Sequence, residues 1–235
     1  MDERTAQPPQ LSPPSRGDET RERIVIAAID VFGRHGFEGA STRALAGAAN
    51  VNIQALQYYF GGKQGLYLAA ADHIGARVRA HVSPAAEAGR AQMMARAAEG
   101  GLTPAEARAL LAGILKEMAR LVVSEESGPW ARFMLREQME PTEAFERVYE
   151  GFMRPIVDTL RQLIGILLAD DPKSEHVGAR ALATVGHVIF FRFARAAVMR
   201  QLDWQSVGSR ELGILNQLID ETVANIRPAT DKGAS

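Results

Sequence analysis

The chain has 235 residues, of which 46% are hydrophobic and 23% charged, a composition typical of a globular protein with a sizeable core. Its 27 Lys and Arg residues against 28 Asp and Glu give a net charge of -1, so overall charge indicates no polyanionic partner. The lack of cysteine excludes disulfides, thiolate metal sites and a cysteine nucleophile. Neither a signal peptide nor a run of about 20 apolar residues is found, which predicts a cytoplasmic protein with no membrane partner.

Two terminal segments differ in composition from the rest of the chain. Residues 1–17 contain Pro8, Pro9, Pro13 and Pro14 among polar residues, and residues 228–235 are also poor in large apolar side chains. Such segments bury too little apolar surface to offset the entropy of ordering, so we predict both to be disordered. Between them, apolar residues recur at spacings of three and four, which predicts an all-α fold.

The predicted helices form a small N-terminal three-helix domain, 18–67, and a larger C-terminal helical bundle, 68–227. The first helix is expected at about Glu19–His35, and Gly36 should end it because glycine adopts a left-handed conformation without strain. Lys63 opens a longer helix, and Pro84 is expected to bend or interrupt it before Gly100.

Thr103 and Pro104 mark the start of a further helix that is expected to reach Val123. Threonine is a good N-cap, proline is favoured at the first helical position, and Glu106 adds a carboxylate to the first turn. The other predicted helices lie at about 42–49, 53–59, 129–139, 142–169, 174–200 and 207–226.

Residues 42–60 predict two short helices joined by a turn of three or so residues, the pattern of a helix-turn-helix motif. Asn50 lies where the turn requires a residue that tolerates positive φ, and Asn52 is placed to cap the second helix. Packing of this helix pair on the first helix is assigned to Leu45, Ala46, Ala49, Val51 and Leu56. The outward face of the second helix is then short and uncharged, and it fits a DNA major groove.

This region resembles the tetracycline-repressor (TetR) family of bacterial regulators. The resemblance rests on the first helix, Thr42, the Ala-Asn-Val-Asn turn, Leu56 with Tyr58-Tyr59-Phe60, and Lys63 with Leu66. Asn50 departs from the family's usual glycine, and Gln57 stands where the family most often has an aromatic residue. The resemblance implies phosphate contacts by Thr42, Tyr58, Tyr59 and Lys63, with Arg43 as a further contact. It implies a groove-facing set of Asn52, Ile53, Gln54, Ala55 and Gln57.

These residue types suit the contacts that the resemblance implies. Hydroxyls and lysine bind phosphate oxygens, glutamine pairs with adenine, and small apolar side chains touch the thymine methyl group. Other interpretations remain for three positions: Phe60 as core, Tyr59 as packing, and Lys63 as a solvated charge. In residues 18–67, five basic residues are balanced by five acidic ones, so tight binding is expected to need both half-sites of a dimer.

The C-terminal bundle contains no recognisable catalytic or metal-binding pattern. Its histidines lack metal-ligand spacing and no glycine-rich phosphate loop occurs, so we expect no enzyme activity, metal or cofactor. Residues 130–141, 145–155 and 186–197 resemble the CecR-like subgroup of the TetR family. The resemblance implies a bundle that binds a small-molecule effector and forms a homodimer. Candidate pocket residues are Trp130, Phe133, Met134, Glu137, Phe152, His187 and Phe191, although the same apolar stripe is typical of plain core.

The last two long helices carry the residues expected to form a four-helix dimer interface: Val185, Ile189, Phe193, Ala197, Ile214, Leu218 and Ile219. Packing inside one subunit is the alternative. The sequence thus predicts a homodimeric repressor that a small-molecule ligand releases from a palindromic double-stranded DNA operator. The alternatives are an activator or co-repressor-dependent regulator of the same fold, and a helical ligand-binding protein without DNA binding.

Overall fold

The computed structural model describes residues 16–228, and this part of the chain is helical without strands, so the predicted all-α class is confirmed. The predicted disordered segments lie outside the described residues, apart from Pro228 and from Arg16 and Gly17, which begin the first helix. The N-terminal part, called the head below, consists of α1 (Arg16–Gly39), α2 (Thr42–Ala48), α3 (Ile53–Phe60) and the start of α4 (Lys63–Arg96).

The remaining helices form the bundle together with the rest of α4. They are α5 (Pro104–Val123), α6 (Ser127–Met139), α7 (Glu143–Val148), α8 (Arg154–Leu168), α9 (Glu175–Phe193), α10 (Arg195–Gln201) and α11 (Ser209–Ala224). The start of α5 is as predicted: the Thr103 hydroxyl accepts from the Glu106 backbone N–H at 3.3 Å, and the Glu106 carboxylate accepts from Thr103 at 2.8 Å.

Of the bend or interruption expected at Pro84, the interruption is absent. α4 continues through Pro84 to Arg96. A proline inside a helix leaves the carbonyl four residues earlier without a donor, which here belongs to Ala80. Both residues are exposed, so this carbonyl can bind solvent in place of the missing donor, which allows the helix to continue.

Two long helices predicted from periodicity are divided in the structure. The predicted 142–169 helix contains a π-helical segment, Tyr149–Met153, where the Arg79 guanidinium donates to the Gly151 carbonyl at 3.0 Å. The predicted 174–200 helix breaks at Ala194, and α9 and α10 meet at a bend of 77°. This bend lets Val198 of α10 pack into a small apolar cluster whose other members are Val123, Trp204 and Leu215.

The head and the bundle share one continuous core. In the head, Phe32 of α1, Leu45 of α2, Leu56 of α3 and Leu66 of α4 are at most 1% exposed. Burial of each such side chain stabilises the fold by about 1.5–3 kcal/mol, which fixes α2 and α3 against α1. α1 packs more extensively on α6 of the bundle than on any helix of the head. The head is therefore attached to the bundle through α6 as well as through α4.

None of the individual helices of residues 16–228 has the length and apolar character that a membrane span needs. Only α9 and α10 taken together, across their bend, would meet that test.

Candidate DNA-binding surface and cavities

The turn between α2 and α3 has the predicted local geometry. Asn50 adopts φ 52°, the left-handed conformation for which asparagine is the best residue after glycine. The Asn52 side chain caps α3, its Oδ1 accepting from the Ala55 backbone N–H at 2.8 Å. Ser41, rather than Thr42, is the N-cap of α2 and accepts from the Ala44 N–H at 3.1 Å. These caps set the orientation of α3 relative to α2.

One face of α3 is free of contacts with the rest of the head. Tyr58 is 82% exposed and Ile53 49%, and Gln54 and Gln57 are exposed between them. Positions 53, 54, 57 and 58 lie on one side of a helix because residues three and four apart, such as 54 with 57 and 54 with 58, share a face. The face presents an isoleucine, two carboxamides and a phenol, which are groups that read base edges and phosphates in a major groove.

Four other predicted contact residues also make contacts within the head. Ala55 and Tyr59 are half-buried and pack on the core. The Asn52 Oδ1 is occupied by its capping bond, although its amide N–H₂ faces solvent on an exposed residue. The Lys63 ammonium donates to the Glu38 carbonyl at 3.4 Å and lies 4.4 Å from the centre of the Phe37 ring. Lys63 therefore also ties the start of α4 to the end of α1.

The charges of the head are separated by helix. The acidic residues of residues 18–67 all lie on α1, whereas residues 39–71 contain Arg43 and Lys63 and no acidic residue. Thr42 and Arg43 are both exposed at the start of α2. Of the acidic residues on α1, Asp30 is neutralised by Arg34 at 2.8 Å and by Arg132 of α6 at 2.6 Å. In a head with balanced charge, α2, α3 and the start of α4 thus contribute basic charges, and the acidic charges come from α1.

Gly65 fixes the angle between α3 and α4. A Cβ atom at this position would lie 1.8 Å from the Phe60 carbonyl oxygen, so the two backbones must separate to admit any side chain. We predict that Gly65→Ala lowers the free energy of unfolding by about 1–3 kcal/mol through overpacking. Chemical denaturation measures the loss, and Gly47→Ala, where a Cβ meets nothing within 4 Å, is the control. An unchanged midpoint for Gly65→Ala would contradict the prediction.

The seven predicted ligand residues do not surround one cavity. Trp130, Phe133, Met134 and Glu137 lie on α6, where Phe133 and Glu137 are almost fully buried. The Phe133 ring centre lies 4.8 Å from that of Tyr67 on α4, so this group belongs to the junction between the head and the bundle. Phe152 of the π-helical segment lies against α4, 3.5 Å from a Cβ built on Gly75.

His187 and Phe191 line a separate cavity between α5, α9 and α11. Its volume is about 20 Å³, which is room for about one water molecule. His187 is exposed in the single chain. No group of three or more potential metal ligands occurs in residues 16–228.

A larger cleft, of about 440 Å³, lies between α4, the π-helical segment and α8. Small-molecule sites typically measure about 300–1,000 Å³, so this cleft has the required size. Its walls carry Arg90, Glu150, Arg154 and Asp158, and the buried Thr159 hydroxyl accepts from Arg90 at 2.8 Å. Sequence reasoning missed the cleft because these residues resemble ordinary surface pairs at helical spacing, such as Arg154 with Glu150 at 2.8 Å.

Comparison with known proteins assigns both halves of this architecture. Residues 24–70 match the family of bacterial regulatory proteins called the tetR family. Residues 107–227 match the C-terminal domain of the HTH-type transcriptional dual regulator CecR. The dual regulator CecR of Shigella flexneri is 28% identical over 208 residues, covering 87% of this chain and 89% of that protein.

Two further similarities concern the head and the fold. The HTH-type transcriptional repressor NicS of Pseudomonas putida is 36% identical over 59 residues, covering 25% of this chain and 28% of that protein. A TetR-like transcriptional regulator from Rhodococcus sp. RHA1 has a TM-score of 0.59 at 19% identity, covering 90% of this chain and 97% of the other, which supports the fold. The chain therefore belongs to the TetR family of DNA-binding transcriptional regulators, which are not enzymes, and within it to the CecR-like group.

Proposed function

We propose that two copies of this chain form a homodimeric repressor that binds a palindromic operator in the cytoplasm and leaves it when a small-molecule effector binds the bundle. The observation that carries the DNA-binding part is the exposed face of α3, with Gln54, Gln57 and the 82% exposed Tyr58, on a segment, 39–71, whose charged residues Arg43 and Lys63 are both basic. The direct contacts are those predicted from sequence, with Tyr58 and Gln54 central and Ala55 and Tyr59 peripheral because the fold half-buries them.

An exposed apolar face on α9 and α11 supports the homodimer. On α9, Leu182 is 60% and Phe190 55% exposed, and on α11 Ile214 is 46% and Leu218 41% exposed. Contiguous apolar surface of this kind marks protein–protein interfaces, and the most economical partner is the same face of a second copy. Gly186 lies between Leu182 and Phe190, and a Cβ there would meet nothing, so a partner helix can approach closely.

The residues of this face differ in part from those expected. Phe193 and Ala197 are exposed as predicted, but Ile219 is buried and Val185 and Ile189 are half-buried in the protomer. Leu182 and Phe190 take their place. Helical periodicity identifies an apolar stripe, but only the packing of α9 on α5 and α8 decides which edge of the stripe stays open.

The cleft between α4 and α8 supports effector binding. Arg90 at its wall lies on α4, the same helix that begins at Lys63 beside α3. An effector that binds one orientation of α4 better than another shifts the population of dimers competent to bind DNA. A 100-fold preference corresponds to about 2.7 kcal/mol of coupling. None of the seven ligand residues predicted from sequence lines this cleft, and all seven stay predictions for effector binding elsewhere in the bundle.

Recovery of genomic DNA on the purified protein, followed by sequencing, tests the proposal. We expect enrichment of fragments that share an inverted repeat and bind with a steep salt dependence, because phosphate contacts release counterions. A reporter driven by an enriched promoter should be repressed by the wild type. Activation instead would favour the alternative that the relative named a dual regulator suggests. Failure to retain any fragment at low salt would contradict DNA binding itself.

A further inference from the structure

Glu137 is a buried carboxyl group at the junction of the head and the bundle. It lies on α6 and is 1% exposed, among the few polar side chains buried in residues 16–228. Burial of a carboxyl group is costly unless donors satisfy its oxygens. The positions of those donors therefore indicate which parts of the fold Glu137 connects.

Both oxygens of Glu137 accept hydrogen bonds, and the donors come from different parts of the fold. The Tyr67 hydroxyl of α4 donates to Oε1. The Thr142 backbone N–H and hydroxyl, in the turn between α6 and α7, donate to Oε2 at 3.1 and 2.9 Å. Burial, followed by the bond to Glu137, raises the pKa of the Tyr67 hydroxyl, which keeps it protonated as the donor. We call Tyr67, Glu137 and Thr142 the Glu137 cluster.

The Tyr67 ring extends this connection into the head. Its centre lies 4.7 Å from that of Phe32 and 5.1 Å from that of Phe37, both on α1, and Phe133 contacts it from α6. The Tyr67 ring is therefore enclosed by aromatic residues of α1 and α6, and this packing restricts the orientation of the ring and its hydroxyl group. A neighbouring polar contact between α6 and α1 joins the exposed Arg136 to the carbonyl of the buried Gly33 at 3.0 Å.

α3 packs directly on the start of α4, close to Tyr67. Tyr67 lies about one helical turn after Lys63. Between them, the backbone at Gly65 packs so closely on the Phe60 carbonyl that a Cβ atom at Gly65 would lie 1.8 Å from its oxygen. The position of the Tyr67 hydroxyl is thus connected to the exposed face of α3 by a short path of tightly packed backbone.

We propose that Glu137 is a positioning residue for operator recognition: its hydrogen bond to Tyr67 holds α4, and through it α3, at the angle to the bundle that operator binding requires. The inference rests on the proposed DNA binding. It gives Glu137 a role other than the ligand contact expected from sequence, since Tyr67 and Thr142 already engage both of its oxygens.

Operator affinity of the full chain tests this role. Tyr67→Phe removes only the donor, and we expect about a tenfold loss of affinity for the recovered operator. Glu137→Gln is the conservative variant: its carboxamide oxygen can accept from Thr142 and its N–H₂ can donate to Tyr67, so affinity should stay within threefold. Leu163→Val, in a fully buried bundle residue of α8, controls for a general loss of stability. Affinity of Tyr67→Phe equal to or tighter than that of the wild type overturns the proposal.

A distance measurement separates failure of this inference from failure of the proposed function. The chain has no cysteine, so Ala48→Cys on α2 and Ala109→Cys on α5, both exposed, allow paired spin labels on the head and the bundle. Without any DNA, Tyr67→Phe should broaden or shift the head-to-bundle distance distribution, while Leu163→Val leaves it unchanged. If the wild type binds no operator, this result alone decides whether the cluster positions the head. Superimposable distributions for Tyr67→Phe and wild type overturn it.

Discussion

Simultaneous replacement of Gln54 and Tyr58 by alanine is expected to weaken operator binding about 1,000-fold. Each good contact to a base or phosphate contributes at least about 1 kcal/mol, and a dimer repeats the two contacts in both half-sites, which gives about 4 kcal/mol in total. The melting temperature should stay unchanged, because Tyr58 is 82% exposed and Gln54 is also exposed. Loss of DNA binding without loss of stability would assign the exposed face of α3 as the reading surface.

Fluorescence anisotropy with a labelled operator, at one fixed salt concentration, measures this effect. Gln201→Ala is the matched control, since Gln201 is an exposed glutamine on α10, remote from the head in the chain. Binding to operators with single base changes separates the two residues: Tyr58→Ala should weaken binding to all sequences about equally if the hydroxyl contacts phosphate, and Gln54→Ala should relax base preference at one position of each half-site. A double variant within threefold of wild-type affinity would refute the assignment.

Phe190→Glu is expected to convert the dimer to monomers and to abolish operator binding at concentrations that saturate the wild type. Phe190 is 55% exposed in the single chain, so the substitution leaves the protomer folded. In a twofold interface the change occurs twice, and each carboxylate becomes buried without a partner, which costs several kcal/mol per ion. A monomer reaches only one half-site and loses the second set of contacts.

Sedimentation velocity gives the oligomeric state, and the same anisotropy assay gives DNA binding. Met94→Glu is the control, because Met94 is a 78% exposed apolar residue on α4, away from α9 and α11 in the chain. It should stay dimeric and bind the operator. A Phe190→Glu protein that sediments as a dimer would show that the interface lies on another surface, and the apolar face of α9 and α11 would need a different explanation.

The sequence predicted best where a local rule applies. Asn50 needs positive φ, Asn52 is a capping residue and Thr103 begins a capping box, and each is found in that role because the cause lies within a few residues along the chain. The interruption expected at Pro84 is absent for the opposite reason, because its outcome depends on residues distant in sequence. Its local penalty is real, but an exposed carbonyl can bind water, and whether Ala80 is exposed depends on the helices that pack around α4.

What the sequence by itself determined is the helix-turn-helix and its outward face, since capping, turn chemistry and apolar spacing act over a few residues. Only the tertiary structure decided what the remaining residues of the site do. The Lys63 ammonium lies on the Phe37 ring, and the Glu137 carboxyl group accepts a hydrogen bond from Tyr67, 70 positions earlier in the chain. On α9, the exposed edge carries Phe190 rather than Val185. These outcomes depend on which side chains, distant in sequence, pack against each other. The spacing of residue types along the chain does not specify those contacts.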